Sequence, residues 1–270
     1  MAEALTSPTA GTSLQMRNVT RSFRRSKGDV VHAVDDFSLS IVDQEFVCLV
    51  GPSGCGKSTL LQMLAGLQPV NSGSIVLNGV PIDGPSPERG LVFQRDSVFP
   101  WMRVIDNAAY GLAARKIDKA SRMKIAREYL QLVGLSHVEH SWPRELSGGM
   151  LKRVAVATVF ANSPKVLLLD EPFGALDYVT RLQLQGVLLN LWSKTRPIVV
   201  FVTHDVDESL LLADRIVVMK SGRLVDDRRV SLARPRTVES LAMPEAVAHK
   251  EALLAHLGLQ ELLDEREVRA

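Results

Sequence analysis

The residues best suited to chemistry form a glycine-rich run from Gly51 to Thr59, with the sequence Gly-Pro-Ser-Gly-Cys-Gly-Lys-Ser-Thr. Glycines allow the backbone to curl so that its N–H groups face a phosphate. Lys57 can reach the outer phosphate oxygens of a nucleoside triphosphate, and the Ser58 hydroxyl can ligate Mg²⁺. A glycine-rich structural turn is the alternative interpretation. The predicted phosphate-binding residues are Gly51, Pro52, Ser53, Gly54, Cys55, Gly56, Lys57, Ser58 and Thr59.

A second anion site is indicated by the segment Leu146–Met150, which reads Leu-Ser-Gly-Gly-Met. A Ser-Gly-Gly turn that opens a helix presents unpaired N–H groups and the positive end of the helix dipole. The phosphate loop of the same chain already cradles one side of a nucleotide. We therefore expect Ser147, Gly148 and Gly149 to contact the nucleotide held by a second copy of the chain.

Two adjacent carboxylates, Asp170 and Glu171, follow the apolar run Val166–Leu169. Ligands of α/β sheets bind at the carboxyl ends of such strands. Asp170 is suited to the coordination shell of a metal, and Glu171 can orient and deprotonate an attacking water. Successive strand residues point to opposite faces, so the two carboxylates are expected to have different roles. A solvated strand end is the alternative.

These residues require an alternating α/β fold to position them. Short Val-, Ile- and Leu-rich runs indicate strands that are buried on both faces, as in a parallel sheet covered by helices. The predicted strands are Phe46–Val50, Ser74–Leu77, Gly90–Phe93, Val166–Leu169, Ile198–Val202 and Ile216–Met219. The helical patterns between them are Thr59–Leu67, Leu182–Trp192 and Asp207–Ala213.

Three further stretches lie outside this alternation. Residues from about 96 to 160 predict a helical insertion, with helices over Val104–Leu112 and Lys119–Val133 and a third that begins at Ser147. Residues 1–13 are small and polar and are expected to form a flexible tail. Residues 226–270 are expected to form a helical extension, with an amphipathic helix over Glu245–Leu263 that packs on its own domain or binds a partner.

Composition excludes several classes of protein. The chain has 270 residues, is 46% hydrophobic and carries a net charge of +2 with a pI near 8.6, so charge does not favour nucleic acid as a partner. Cys48 and Cys55 have neither disulfide-framework nor metal-site spacing, which favours a reducing compartment. Cys55 is either a reactive thiol or a small residue tolerated in the loop. No apolar run approaches the ~20 residues needed to span a bilayer.

From about Leu14 to Val225 the chain resembles the nucleotide-binding subunits of ATP-binding cassette (ABC) transporters. The motifs that carry the resemblance are the phosphate loop, the Leu-Ser-Gly-Gly signature, the acidic strand, Gln94 in Val-Phe-Gln, Gly174–Asp177 and His204 in Val-Thr-His-Asp. The resemblance implies a P-loop NTPase (RecA-like) core with a small β subdomain and a helical insertion subdomain. It also implies that the protein is an ATPase that uses ATP and Mg²⁺.

The resemblance assigns further roles. Gln94 corresponds to the glutamine near Mg²⁺ and the attacking water, and His204 to the switch histidine that contacts the γ-phosphate; an ordinary strand-end histidine is the alternative. Gly174–Asp177 corresponds to the loop that communicates across the dimer. Phe23 either stacks on adenine or belongs to a surface loop. Thr158, where the family usually has arginine, is expected to alter helix packing rather than activity.

One segment resembles a narrower group, the nitrate, sulfonate, taurine and bicarbonate importer ATPases. It comprises Ser97–Trp101 and Val104–Asn107. We expect Val98, Phe99 and Trp101 to line an apolar groove that receives a short helix of a membrane subunit, and packing inside the helical insertion is the alternative.

The expected function is the ATP-hydrolysing subunit of a bacterial importer of a small solute, and the narrower resemblance implies an anion like nitrate, a sulfonate or taurine. Two copies would sandwich the nucleotides at the cytoplasmic face of the membrane. Separate permease subunits, and indirectly a solute-binding protein, would be the partners. A soluble ABC ATPase that acts on ribosomes or DNA is the alternative, although such proteins usually carry two cassettes or additional modules.

Overall fold

The computed structural model describes residues 13–24, 29–94 and 97–258. Ten strands lie within these ranges: β1 (Leu14–Arg24), β2 (Val30–Ile41), β3 (Phe46–Val50), β4 (Ser72–Leu77), β5 (Val80–Pro81), β6 (Arg89–Val92), β7 (Val166–Asp170), β8 (Ile198–Thr203), β9 (Arg215–Lys220) and β10 (Arg223–Arg229). Seven α-helices accompany them: α1 (Lys57–Leu64), α2 (Val104–Ala114), α3 (Lys119–Leu132), α4 (Gly148–Ala161), α5 (Tyr178–Thr195), α6 (Val206–Leu212) and α7 (Pro244–Leu257). The expected tail over residues 1–13 lies outside the described residues except for Ser13.

The core is a six-stranded sheet in the order β10–β9–β3–β8–β7–β6. Neighbouring strands are parallel throughout except for β10, which pairs antiparallel with β9. Every residue of β3 and of β8 is buried, as expected for strands covered by helices on both faces. The predicted α/β class and the six predicted strands are confirmed, with strand ends that differ by at most two residues.

A second sheet, in the order β2–β1–β4–β5, is antiparallel and packs with α1 around a separate apolar cluster. The apolar periodicity did not predict β1 and β2. The register between them shifts, and Asn18 and Asp36 adopt left-handed backbone conformations that interrupt regular alternation. The small β subdomain implied by the family resemblance is nevertheless present.

Helices α2, α3 and α4 lie between β6 and β7 and pack together through Val104, Ala108, Leu130 and Phe160. The three helices predicted for the stretch 96–160 are therefore confirmed; residue 96 itself lies outside the described part. Ser147 caps α4, since its hydroxyl accepts a hydrogen bond of 3.3 Å from the N–H of Met150. The cap fixes the start of the signature helix.

Two features of the C-terminal segment differ from a simple helical extension. The boundary placed after residue 225 falls inside β10, whose alternating exposed and half-buried residues pair with β9 up to Arg229. The predicted helix corresponds to α7, and the remainder of its predicted range, beyond residue 258, lies outside the described residues. In the described part of the chain, no helix is both long and apolar enough to cross a membrane.

Candidate active site

The phosphate loop connects β3 directly to α1 and is shaped by glycines that the surrounding chain requires. A Cβ at Gly51 would lie 2.1 Å from the carbonyl oxygen of Met219, and one at Gly56 would lie 1.9 Å from that of Ala33. Gly56 also has a φ of 107°, which side-chain-bearing residues rarely adopt. The loop therefore passes closer to its neighbours than any other residue type would allow.

Lys57 begins α1 and lies inside this loop. Its side chain is buried, and its ammonium donates to the carbonyl oxygens of Gly51 at 2.7 Å and of Pro52 at 3.0 Å. A buried lysine is stable when charge-assisted hydrogen bonds replace its hydration. Cys55 is buried 3.7 Å from the same ammonium. The hydrogen bonds to Gly51 and Pro52 thus hold the Lys57 ammonium inside the loop, where a bound phosphate would lie.

Ser58 and Asp170 meet at the carboxyl end of the sheet. The Ser58 hydroxyl donates to Oδ1 of Asp170 at 3.0 Å. Burial raises the pKa of Asp170; the bond from Ser58 and the charge of Lys57 oppose this effect, while the neighbouring Glu171 adds to it. A hydroxyl and a carboxylate at this separation are oxygen donors of the kind that Mg²⁺ prefers.

Glu171 is contacted by the two other predicted catalytic residues. Its Oε2 accepts a hydrogen bond of 3.1 Å from the side-chain amide of Gln94, and Nδ1 of His204 lies 3.4 Å from the same oxygen. The three side chains come from the ends of β6, β7 and β8. Glu171 has a φ of 41°, a conformation uncommon outside glycine and typical of functional sites.

An open cleft of about 320 Å³ contains most of these groups. Its lining residues are Ala33, Ser53, Gly54, Gly56, Lys57, Ser58, Thr59, Gln94 and Glu171. The signature residues Ser147, Gly148 and Gly149 are not among them. The structure thus brings together the phosphate loop, Gln94, Glu171 and His204, and leaves the signature turn outside the cleft of its own chain.

Phe23 lies in β1, paired with Val31, so the surface-loop interpretation is wrong. The ring is 38% exposed, and the guanidinium of Arg21 lies 4.9 Å from its centroid. Phe23 does not line the cleft, although Ala33, two residues beyond its strand partner, does. Adenine stacking by Phe23 stays a prediction.

The segment after Gln94 carries a cluster of aromatic side chains. The ring of Phe99 lies 5.5 Å from that of Trp101 and 4.6 Å from that of Tyr110, and Trp101 is 70% exposed. Val98, in contrast, is partly buried against the helical core. A groove of about 420 Å³ lies beside Tyr110, and its other lining residues are Pro87, Arg89, Gly90, Gly111, Ala114, Arg115, Thr158, Val159 and Asn162.

The shape of this segment depends on Asn107, a role that the sequence analysis did not assign. Its amide oxygen accepts the N–H of Phe99 at 2.7 Å, and its amide nitrogen donates to the carbonyl oxygens of Phe99, Met102 and Arg103 at 3.0–3.1 Å. The side chain is only 1% exposed. The sequence offered one signal for this role: Asn107 is a polar residue among the apolar residues of the predicted helix Val104–Leu112.

Comparisons with known proteins agree with this geometry. The family model for ABC transporters matches residues 34–174. The chain is 46% identical to the aliphatic sulfonates import ATP-binding protein SsuB 2 of Nocardia farcinica, over 93% of this chain and 98% of that protein. It is 42% identical to the nitrate import ATP-binding protein NrtD of Synechococcus elongatus, over 83% of each.

A solved structure with the same fold is the dimeric ATP-binding cassette MJ0796 in a post-hydrolysis state bound to ADP and Pi. It superposes with a TM-score of 0.72 at 26% identity and covers 82% of this chain and all of that one. The family predicted from the motifs is confirmed, as is the predicted fold class. The chain belongs to the ABC transporter family and is an ATP-hydrolysing cassette subunit related to the anion importer ATPases.

Proposed function

We propose that two copies of this protein sandwich two ATP molecules and power a bacterial importer of a small anion. The observation that carries the proposal is the convergence of Gln94 and His204 on one carboxylate oxygen of Glu171, beside the phosphate loop. This arrangement can hold a water between a base and a terminal phosphate. Hydrolysis of ATP in the cleft is the chemistry it fits best.

The second copy supplies what the cleft of one chain lacks. A Cβ at Gly148 would meet nothing within 4 Å among the described residues, and its φ is not in the left-handed region. Nothing in the described part of the chain therefore requires glycine at this position. Close approach of a phosphate to the N-terminus of α4 does require it. The phosphate is that of the nucleotide held by the partner copy.

Each side chain then has a defined task. Lys57, the loop N–H groups and His204 hold the γ-phosphate, and Ser147 and Gly149 of the other copy close it from the opposite side. Glu171 accepts a proton from the attacking water, which Gln94 helps to orient. Ser58, Asp170 and Gln94 would supply oxygen ligands for Mg²⁺, and the bound ion would neutralise charge on the phosphates.

The membrane partner docks on the aromatic cluster and the adjacent groove. The exposed rings of Trp101 and Tyr110, with the half-buried ring of Phe99 between them, form an aromatic surface of the kind that is enriched at protein interfaces. Thr158 lines the neighbouring groove at the position where the family usually has arginine. Because threonine is shorter than arginine and carries no charge, the groove is wider at this point and its lining is mainly apolar. An amphipathic helix of a permease subunit fits such a groove. The cassette would then be peripheral at the cytoplasmic face.

The names of the relatives support an anionic solute such as a nitrate or a sulfonate. Such solutes would be bound by the permease and by a solute-binding protein, so no residue of the cassette is assigned to them. The proximity of the docking surface to Gln94 supports transmission of closure to the membrane subunits.

Replacement of Glu171 by Gln tests the sandwich. The isosteric amide keeps the hydrogen-bonding shape of the site but cannot take the proton from water, so steady-state ATP hydrolysis should fall by about 100-fold or more. ATP binding should persist, and a dimer should accumulate in ATP when measured by size-exclusion chromatography with light scattering. Turnover like that of the wild type, or a monomer at saturating ATP, would contradict the proposal.

A further inference from the structure

Helix α5 contacts two parts of the site that the proposed function treats separately, the signature turn and the residues beside His204. We propose that Arg181, at the end of its first turn, is a positioning residue that holds the switch histidine His204 in place and ties it to the signature turn of the same chain. The inference rests on the two-copy sandwich, because only there do the signature turn and His204 serve different nucleotides.

The first contact joins α5 to the signature turn. Asp177 caps α5 by accepting the N–H of Thr180 at 3.0 Å, so the first turn is rigidly held. A Cβ at Gly149 would lie 2.7 Å from Cγ2 of Thr180. The signature turn and the first turn of α5 are therefore packed together without room for even a methyl group.

The second contact joins α5 to the residue after His204. One nitrogen of the Arg181 guanidinium lies 2.8 Å from Oδ2 of Asp205, and another donates to the carbonyl oxygen of Leu176 at 3.2 Å. Arg181 and Asp205 are both about 30% exposed, at 27% and 31%. Arg181 thus connects the loop before α5 with the loop that carries His204.

Asp205, the partner of Arg181, also caps the start of α6. Its Oδ1 accepts the N–H of Glu208 at 3.1 Å, which makes it the N-cap of that helix. Its own N–H donates to the hydroxyl of Thr203 at 3.0 Å. His204 therefore lies between two residues, Thr203 and Asp205, that are each fixed by hydrogen bonds.

A buried carboxylate supplies a second tether. Glu208 accepts hydrogen bonds from Thr203 at 2.5 Å and from the side-chain amide of Gln185, one turn beyond Arg181, at 3.0 Å. Burial raises the pKa of Glu208, and these two hydrogen bonds oppose the shift. Because Arg181 and Gln185 are four residues apart, they lie on one face of α5. Both contact the segment that carries His204, from Thr203 to Glu208, which we call the switch loop.

The consequence is a mechanical link between two nucleotides. In the sandwich the signature turn touches the nucleotide of the partner copy, whereas His204 touches the nucleotide of its own copy. Rigid α5 lies between them within one chain. A displacement of the signature turn on binding the partner's nucleotide then reaches His204 through Arg181 and Asp205, which couples the two sites.

A double-mutant cycle on the full-length protein tests whether Arg181 acts through His204. The variants are Arg181→Gln, His204→Ala and their combination, and the measurement is single-turnover ATP hydrolysis with excess protein. Arg181→Gln should lower the rate by about 10- to 100-fold while leaving the concentration of protein needed for half-saturation within about twofold. The combination should be no slower than His204→Ala alone, because a positioning residue has no effect without the group it positions.

Three further variants separate this role from general stability. Arg181→Lys should recover part of the rate, since an ammonium can pair with Asp205 but cannot also reach the Leu176 carbonyl in a fork. Asp205→Asn keeps the helix cap and removes the charge, so it should lower the rate in the same direction as Arg181→Gln. Arg127→Gln removes a guanidinium that pairs with Glu139 at 3.1 Å on the helical insertion, and it should match the wild type.

Multiplicative losses in the combined variant would overturn the inference, as would a wild-type rate for Arg181→Gln. Either result would leave the proposed function intact if the wild type hydrolyses ATP. An inactive wild type that remains monomeric in ATP would instead remove the sandwich, and the coupling with it.

Discussion

Gly56 and Gly148 differ in how much space their own chain leaves for a side chain. A Cβ at Gly56 would collide with the carbonyl oxygen of Ala33, and the backbone there is left-handed. A Cβ at Gly148 would meet nothing among the described residues, and the position begins a helix, where alanine is intrinsically favoured over glycine. The fold therefore demands the first glycine, whereas we propose that the nucleotide bound by a partner copy demands the second.

Alanine at these two positions should separate stability from activity. Gly148→Ala should leave the melting temperature unchanged or slightly higher and reduce ATP hydrolysis by about 10-fold or more. Gly56→Ala should lower the melting temperature by several degrees, because its loop must shift as a whole. Thermal unfolding by circular dichroism and a steady-state phosphate-release assay provide both readouts. Full activity in Gly148→Ala would argue against a phosphate at this turn.

At the scale of elements, the loop between Gln94 and α2 is organised by one side chain from the helix that follows it. Asn107 uses its carbonyl oxygen and its amide nitrogen within the loop, and thereby fixes the backbone on which Phe99 and Trp101 are displayed. The aromatic surface is thus held by a buried hydrogen-bonding group. Docking of a partner should depend on this group without touching it.

Asn107→Asp should reduce partner docking as strongly as Trp101→Ala does. The carboxylate keeps the acceptor for the Phe99 N–H but loses the donors and faces three carbonyl oxygens, which should cost about 1–3 kcal/mol and lower the melting temperature by a few degrees. Trp101→Ala should leave the melting temperature unchanged, since the ring is mostly exposed. The readout is the fraction of tagged protein that co-sediments with membrane vesicles containing the permease subunits. Retention of Trp101→Ala at the wild-type level would place the docking surface elsewhere.

At the scale of the whole molecule, the segment after β10 serves as part of the core. Val230 and Leu232 are buried, and Arg236 donates to the carbonyl oxygens of Leu210 and Ala213 at the end of α6. Burial and the nearby charge of Arg234 lower the pKa of Arg236 to about 10. The segment therefore covers the helix that follows the switch loop, and we expect its removal to destabilise the core.

Two truncations distinguish this structural part from a regulatory one. A chain ending at Arg229 keeps β10 but should aggregate or unfold at a much lower temperature, because burial of Val230 and Leu232 contributes roughly 1.5–3 kcal/mol each and the α6 carbonyls lose their donors. A chain ending at Arg236 keeps these contacts and should unfold cooperatively at a moderately lower temperature. Its transport activity then reports on the residues after Arg236, which include α7. A wild-type melting temperature for the shorter chain would show that the segment does not stabilise the core.

Much of the site could be predicted from motifs that directly follow a strand in the sequence. A buried strand followed by a glycine-rich loop, or by two carboxylates, contains its own positional information, because parallel strands end at the same edge of a sheet. For this reason β3 with Lys57, and β7 with Asp170 and Glu171, were predictable. Strands β2 and β10 were not predictable in this way, since β10 is mostly polar and the alternation of β2 is interrupted by left-handed residues such as Asp36.

The sequence by itself thus determined the family and predicted the chemistry: a phosphate loop, a carboxylate base and a second anion site, in the order typical of ABC cassettes. The tertiary structure alone decided which of these groups meet. It brings Gln94 and His204 to Glu171, leaves the signature turn outside its own cleft, and joins that turn to the switch loop through α5. The physical reason is that side-chain contacts depend on how strands and helices pack, which local sequence does not specify.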